Sequence, residues 1–180
     1  SQWLERRLTL NANAFYVDWS DQQVSVNFGL NNFDVHTVNA GRSHIYGFEV
    51  ELAHRLTQSV DWYASVGHVR TQFDDFDVVV GSFDDLSGRE FAYAPEWTLG
   101  AGVNLRWRHG IAANVNANYR SEVFTDVSTR QDQYRVGSRT VVNARVGREG
   151  DHWGVHLIAN NLFDEEYVQY DAIGMGMSVL

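Results

Sequence analysis

Trp97-Thr98-Leu99-Gly100-Ala101-Gly102-Val103-Asn104-Leu105-Arg106-Trp107 is the stretch on which the reading turns. Its odd positions are all apolar, from Trp97 through Leu99, Ala101, Val103 and Leu105 to Trp107. Its even positions carry hydroxyl, glycine, amide and guanidinium. A period of two is that of a β-strand, whose successive side chains point to opposite faces. Ten steps of about 3.3 Å make about 33 Å of strand. Tilted by about 40–45°, that length spans about 25 Å, the height of the apolar band on a membrane β-barrel with its aromatic girdles.

The same alternation recurs outward from this segment. Leu8, Leu10, Ala12 and Ala14 alternate with Thr9, Asn11 and Asn13; Phe48, Val50 and Leu52 with Glu49 and Glu51; Val60, Trp62, Ala64 and Val66 with Asp61, Tyr63 and Ser65. Ile111, Ala113, Val115, Ala117 and Tyr119 alternate with Asn114, Asn116, Asn118 and Arg120, and Val142, Ala144 and Val146 with Asn143 and Arg145. Trp153 to Asn160 and Ile173 to Val179 complete about eight strands, with no credible helix. Connections alternate in length. Short turns fall near 56–59, 108–110 and 149–151; long polar loops are expected at about 21–41, 74–93, 121–138 and 164–171. An up-and-down outer-membrane barrel has this rhythm, with short periplasmic turns and longer extracellular loops. Propellers and sandwiches have no reason to gather every long loop at one end.

Trp62, Trp107 and Trp153 share the apolar phase and the short-turn end, as an interfacial belt requires; Trp19, Trp97, Tyr119 and Phe124 lie toward the other end. The competing reading, indoles capping the rims of a soluble core, fits poorly with opposite faces that carry Asn ladders, Glu49, Glu51, Arg106, Arg120 and Arg145.

Composition bounds the rest. The 180 residues are 44% hydrophobic and 13% aromatic, with a mean hydropathy of −0.34 and no apolar run near the roughly 18–20 residues a membrane helix needs. A barrel stays possible at that hydropathy because its inner face is polar. No cysteine is present, so no thiolate site or disulfide framework exists. A net charge of −9 without a basic cluster argues against nucleic acid as a partner. All 14 basic residues are arginine, whose planar fork suits the phosphates of lipopolysaccharide; genomic base composition explains the bias equally well. Ser1 to Arg7 runs straight into a strand pattern without the apolar core of a secretory leader, which is read as an arbitrary start.

Near the C-terminus stands Asn161-Leu162-Phe163-Asp164-Glu165-Glu166-Tyr167, a strand end, an Asx-type turn and an aromatic anchor. An Asn-Leu-Phe-Asp…Tyr segment followed by a loop and one last strand resembles the C-terminal end of TonB-dependent outer-membrane receptors. Asn39-Ala40-Gly41 leading to Gly47-Phe48-Glu49-Val50-Glu51 resembles another of that family's strands, and Ala94-Pro95-Glu96-Trp97 its Ala-Pro strand start, where the missing N–H is tolerated. The resemblance covers nearly the whole chain. It implies an all-β, antiparallel transmembrane barrel of about 22 strands, of which residues 1–180 supply the last eight or so, with the plug domain and earlier strands elsewhere. It further implies uptake of a scarce nutrient, a ferric siderophore being the commonest class, energised through the TonB complex, in a Gram-negative outer membrane of lipid and lipopolysaccharide. Such barrels end on an outward aromatic residue, whereas here the outward phase falls on Val179; the natural protein is expected to continue by about one residue, Phe or Trp.

Candidate chemistry is sparse. Asp74, Asp75, Asp77, Asp84 and Asp85 form an acidic loop segment that could hold calcium, though without the spacing and glycine of an EF-hand; a solvated loop is the plainer reading. His152 and His156 sit about 13 Å apart on a strand, too far to share one ion; His44, His54 and His68 could line the lumen or the rims, and scattered structural histidines are the plainer reading. Neither a metal site nor a cofactor is implied. Glu49 and Glu51 have Cβ atoms about 6–7 Å apart on one face; Arg106, Arg120 and Arg145, or arginines of the plug, are their expected partners. Asn104, Asn114, Asn116 and Asn118 suit a hydrated wall. No Ser-His-Asp arrangement is legible, and an enzyme is not expected. Two other classes stay open: a self-contained eight-stranded membrane barrel (anchor, adhesin or enzyme), and a soluble ligand-binding barrel with its apolar face inward.

Overall fold

Residues that alternate apolar and polar can satisfy their backbone groups and sort their side chains only by pairing with a neighbour of the same period, and consecutive segments here do so. A computed structural model describes residues 2–3, 7–27, 35–80, 82–128, 131–168, 170–171 and 178–179, with the backbone alone at 2–3, 27, 35, 78–80, 82–84, 133, 170–171 and 178–179. One antiparallel sheet holds eight strands: β1 (Gln2–Trp3), β2 (Leu8–Asn27), β3 (Val35–Arg55), β4 (Val60–Asp75), β5 (Trp97–Arg106), β6 (Ile111–Arg120), β7 (Arg139–Glu149) and β8 (Gly154–Ala159). Their order in the sheet is their order in the chain, an up-and-down meander whose first and last strands are not paired with each other among the described residues.

The register sorts the faces. Leu52, Ala64, Ala101, Ala117 and Val142 form one row across β3 to β7, and Trp62, Val103, Val115 and Ala144 another. On the opposite face Ala53, Tyr63, Gly102, Asn116 and Asn143 run between these rows, flanked by Glu51, Ser65, Gly100 and Asn118 on one side and by Asp61, Asn104, Asn114 and Arg145 on the other. Among the described residues the apolar face has no partner: Leu99, Val103, Val115 and Val155 are exposed, and Leu157 is 72% exposed. Buried apolar side chains instead gather at one end of the sheet, among the long connections, where Val26, Ala40, Phe73, Phe76, Leu86 and Val127 cluster and Phe76 is 0% exposed.

The other end has tight turns. Thr57 N–H bonds the Val60 carbonyl at 3.0 Å, Trp107 N–H bonds the Ile111 carbonyl at 2.8 Å, and Gly150 N–H bonds the Trp153 carbonyl at 2.8 Å. In the second turn Gly110 has φ +73° and its Cα lies against the Glu149 carbonyl, so a side chain there meets both strain and backbone.

Three connections differ from expectation. The stretch 21–41 is mostly strand: β2 and β3 run on, paired from Gln22↔Ala40 to Asn27↔Val35. At 20 residues, β2 is about 66 Å long, twice β5. On the outer arms of this hairpin Val24, Val26, Val38 and Ala40 face the loop core while Gln23, Ser25, Thr37 and Asn39 are exposed, so polar residues here mark the wet face and not loss of strand. Within 74–93, Asp77–Val80 pairs with Ser82–Asp85, and within 121–138, Val123–Phe124 pairs with Arg135–Val136. In the expected last strand, Ser178–Val179 pairs with Tyr170–Asp171, and Ile173 to Met177 lie outside the described residues.

Candidate functional site: the polar wall and the outer-loop block

The polar face is a hydrogen-bonded surface. Asp61 accepts from Arg106 and, at 2.8 Å, from Asn104 Nδ2. Asn114 Nδ2 donates to Asn104 Oδ1 at 2.8 Å, Asn116 to Asn114 at 2.9 Å and Asn118 to Asn116 at 3.0 Å. Asn143 on β7 also donates to Asn116 Oδ1, at 3.1 Å. Asn104 and Asn114 each accept from one neighbour and donate to the next, and Asn116 accepts from both Asn118 and Asn143, so the carboxamides form an uncharged, linked row.

Of the arginines expected to pair with Glu49 and Glu51, Arg106 and Arg145 are engaged otherwise. Arg106 goes to Asp61, and Arg145 Nη2 lies 3.1 Å from His156 Nδ1. Arg120 meets Thr98 and Arg139 in register. Glu51 Oε2 accepts from Asn11 Nδ2 at 3.4 Å. A cavity of about 280 Å³ opens at the turn end between Arg106, Asn114, Arg145, Glu149 and His156, floored by Ala112 and Gly147.

The C-terminal motif is tied to this ladder. Asn161 N–H donates to Asn143 Oδ1 at 3.0 Å, while its side chain accepts from Glu165 N–H at 3.0 Å and donates to the Glu165 carbonyl at 3.1 Å. Asn161 and Asp164 take positive φ, 51° and 53°, the left-handed region that Asn and Asp tolerate best. Leu162 N–H bonds the Val142 carbonyl at 2.7 Å, and Tyr167 receives the Arg139 guanidinium 4.2 Å over its ring. Leu162 and Phe163 are exposed.

The acidic segment is spread out rather than gathered. Asp74 lies 2.8 Å from His44 Nδ1, and Asp77 stands across from Asp85 in their hairpin. Asp85 accepts the Ser87 backbone N–H at 2.8 Å, and the Ser87 bonds hold its carboxyl below the usual value of 3.8. The Asp75 side chain is exposed, and that of Asp84 lies outside the description. Among the described residues, no group of three or more His, Cys, Asp or Glu is placed to hold a metal ion. His44, His54 and His68 fall on the apolar phase, at its two margins, and not on the polar wall.

What sequence reasoning missed is the block of long connections. Gln131, 2% exposed, donates to the Glu90 carbonyl at 2.7 Å and the Asp126 carbonyl at 3.0 Å and accepts from Glu90 N–H at 3.3 Å. Thr71 Oγ1 accepts from Phe91 N–H at 3.0 Å, and Tyr93 N–H bonds the Phe124 carbonyl at 2.8 Å. Arg89 pairs with Asp132 at 3.2 Å, and Arg135 with Glu122 at 2.7 Å. Phe73, Phe76 and Phe91 pack ring to ring, 4.5–4.8 Å apart. The signal was present as four apolar side chains, Phe73, Phe76, Leu86 and Phe91, inside a stretch otherwise read for its carboxylates.

Aromatic residues mark both margins of the apolar face. Trp107 and Trp153 are exposed at the turn end, with the Arg148 guanidinium 5.6 Å over Trp153, and Trp62 stands edge-on to His54. Trp97 contacts His68 and Phe48 at the loop end. Trp19 and Phe124 do not join them: Trp19 is in the polar phase and stacks on Phe91, and Phe124 lies in the block under Arg135.

A strip of sequentially paired strands, one face a carboxamide wall, the other an uncovered apolar band, and long connections folded together at one end, is a length of barrel wall. The chain belongs to the TonB dependent receptor-like β-barrel family, whose model matches residues 1–162. Among solved structures it is similar to the siderophore receptor PiuA from Acinetobacter baumannii, at 19% identity and a TM-score of 0.75 over 95% of this chain and 24% of that one. It is also similar to the ferric yersiniabactin uptake receptor FyuA from Yersinia pestis (21% identity, TM-score 0.71, 91% and 24%) and to the copper transporter OprC (15% identity, TM-score 0.72, 99% and 26%). The chain spans about a quarter of the length of these proteins. At such identities the likeness is one of fold. The family and these neighbours are receptors and transporters, not enzymes.

Proposed function

We propose that this chain is the C-terminal part of the wall of an outer-membrane receptor for a scarce, bulky nutrient, with a ferric siderophore as the cargo class and the TonB complex as the energy source. The observation that carries the reading is the unpartnered apolar face, bounded by aromatic residues at both margins, in a fold whose buried apolar core, among the described residues, lies at the long-connection end of the sheet. On this reading the face from Leu99 to Val155 meets lipid, and Trp62, Trp97, Trp107 and Trp153 sit at the headgroups. Arg42, Arg70 and their acidic partners Asp18 and Glu96 stand at the lipopolysaccharide level. The carboxamide ladder and Glu49, Glu51, Arg106, Arg120 and Arg145 line the lumen, filled by a plug domain outside residues 1–180. Cargo is captured by the outer block and the plug apex, and a TonB-driven rearrangement of the plug opens the way. Deleting the receptor gene and growing the cells on single defined iron sources tests this: loss of growth on one ferric siderophore is expected. Undiminished growth on all of them, with the protein absent from the outer-membrane fraction of the parent, overturns it.

A further inference from the structure

Arg120 and Arg139 face each other across β6 and β7 on the polar side of the sheet, directly in register. Directly opposed residues have Cβ atoms about 5 Å apart, and like charges so placed repel. Shielding sharpens the problem: Nε and Nη2 of Arg120 are both cut off from solvent and have no hydrogen-bond partner among the described residues. Arg120 as a whole is only partly buried, but shielded guanidinium N–H groups left without an acceptor are costly to a fold. Arg139 stacks over Tyr167, which fixes its plane but supplies no negative charge. The nearest carboxylate along the same cross-strand row is Glu49, three strands away, about 14 Å at the usual strand spacing. Arg106 and Arg145, by contrast, have partners in Asp61 and His156.

We propose that Arg120 and Arg139 form a seat for an oxyanion, a carboxylate above all, held between two guanidinium forks beneath the outer-loop block. The proposal rests on the reading of the polar face as a lumen wall. The anion comes either from an acidic side chain of the plug or from an acidic group of the transported compound. Thr98 Oγ1, next to Arg120 in the row, is a hydroxyl able to complete the shell.

The experiment uses the full-length receptor in detergent, its barrel verified by heat-modifiable electrophoretic mobility and its location by fractionation; those two controls fail if the lumen-wall reading is wrong, and the measurements below fail if the seat is wrong. Citrate and inorganic phosphate are titrated by calorimetry, and the melting temperature is recorded for wild type, R120Q/R139Q, R120K/R139K and R70Q, whose guanidinium lies on the other face. If the anion is exogenous, wild type binds citrate and R120Q/R139Q weakens binding at least tenfold. If the plug supplies it, wild type ignores citrate, R120Q/R139Q lowers the melting temperature by several degrees, and R120K/R139K recovers part of the loss while R70Q stays near wild type. An unpaired like-charge pair does the reverse, since its removal relieves repulsion. Absence of citrate and phosphate binding together with an unchanged or raised melting temperature in R120Q/R139Q overturns the seat. Should the double variant fail to assemble, R139Q is read by the same criteria.

Discussion

Gln131 is the residue on which two long connections close. It satisfies two buried carbonyls and one N–H from chain segments 41 and 5 positions away. Q131A leaves those groups buried without partners, and a loss of about 1–3 kcal/mol in the block is expected; limited proteolysis of the full-length receptor reads it as faster cleavage within 86–92 and 121–136. Asn161 combines a left-handed backbone with three bonds. N161A is expected to cost about 2 kcal/mol, the sum of strain and lost bonds, and N161G to recover only the strain; chemical denaturation of the refolded receptor separates them. Asp85 gives a pH dependence. Its carboxyl is held below 3.8 by the Ser87 bonds, so the stabilisation is complete above that value and is lost as the pH falls through the lower, folded value. Protection of the Ser87 amide from hydrogen exchange should therefore be constant from neutral pH to about 4, relative to its intrinsic rate, and fall below it.

Strands were legible to the extent that their surroundings were two-sided. Along β5 and β6 one face is apolar and the other wet, so the period-two pattern gave both the element and its faces, and the register then sets Ala101 between Ala64 and Ala117 in mid-sheet. Along the outer halves of β2 and β3 one face packs on the loop core through only Val24, Val26, Val38 and Ala40, amid polar residues, so strand looks like loop. The Asn ladder was visible as a row, but its direction of donation, its end on Asp61 and its link through Asn143 to Asn161 depend on cross-strand register, which no single segment carries. The same two-sidedness supports a test. In lipid vesicles A101R is expected to destabilise the receptor by about 2–4 kcal/mol, the cost of a guanidinium near mid-bilayer. N118S on the wall, which removes a single bond to Asn116, should cost under about 1 kcal/mol. Equal costs on the two faces, measured by urea denaturation in vesicles, would contradict the assignment of lipid to the apolar side.

At the scale of the molecule the chain has two separate sources of order. The sheet is held by its ladders and, on the proposed reading, by lipid; the outer block has a water-excluding core of its own, built from Val26, Ala40, Phe73, Phe76, Leu86 and Val127. Since the block draws on β2, β3, β4 and the two long connections, losing one central side chain should loosen all of them together while leaving the ladders of β5 to β7 intact. Phe76, fully buried and 4.8 Å from the Phe73 ring, is that side chain. F76A is expected to cost the block about 3–5 kcal/mol. Hydrogen exchange on the full-length receptor should then rise in concert across 73–92 and 121–136, with the amides of 99–105 and 111–119 unchanged. Exchange that rises only within 73–92 would mean that the two connections fold independently. On the proposed reading, a block that opens as one body carries any bound cargo with it, and its stability would then be a determinant of capture and not only of fold.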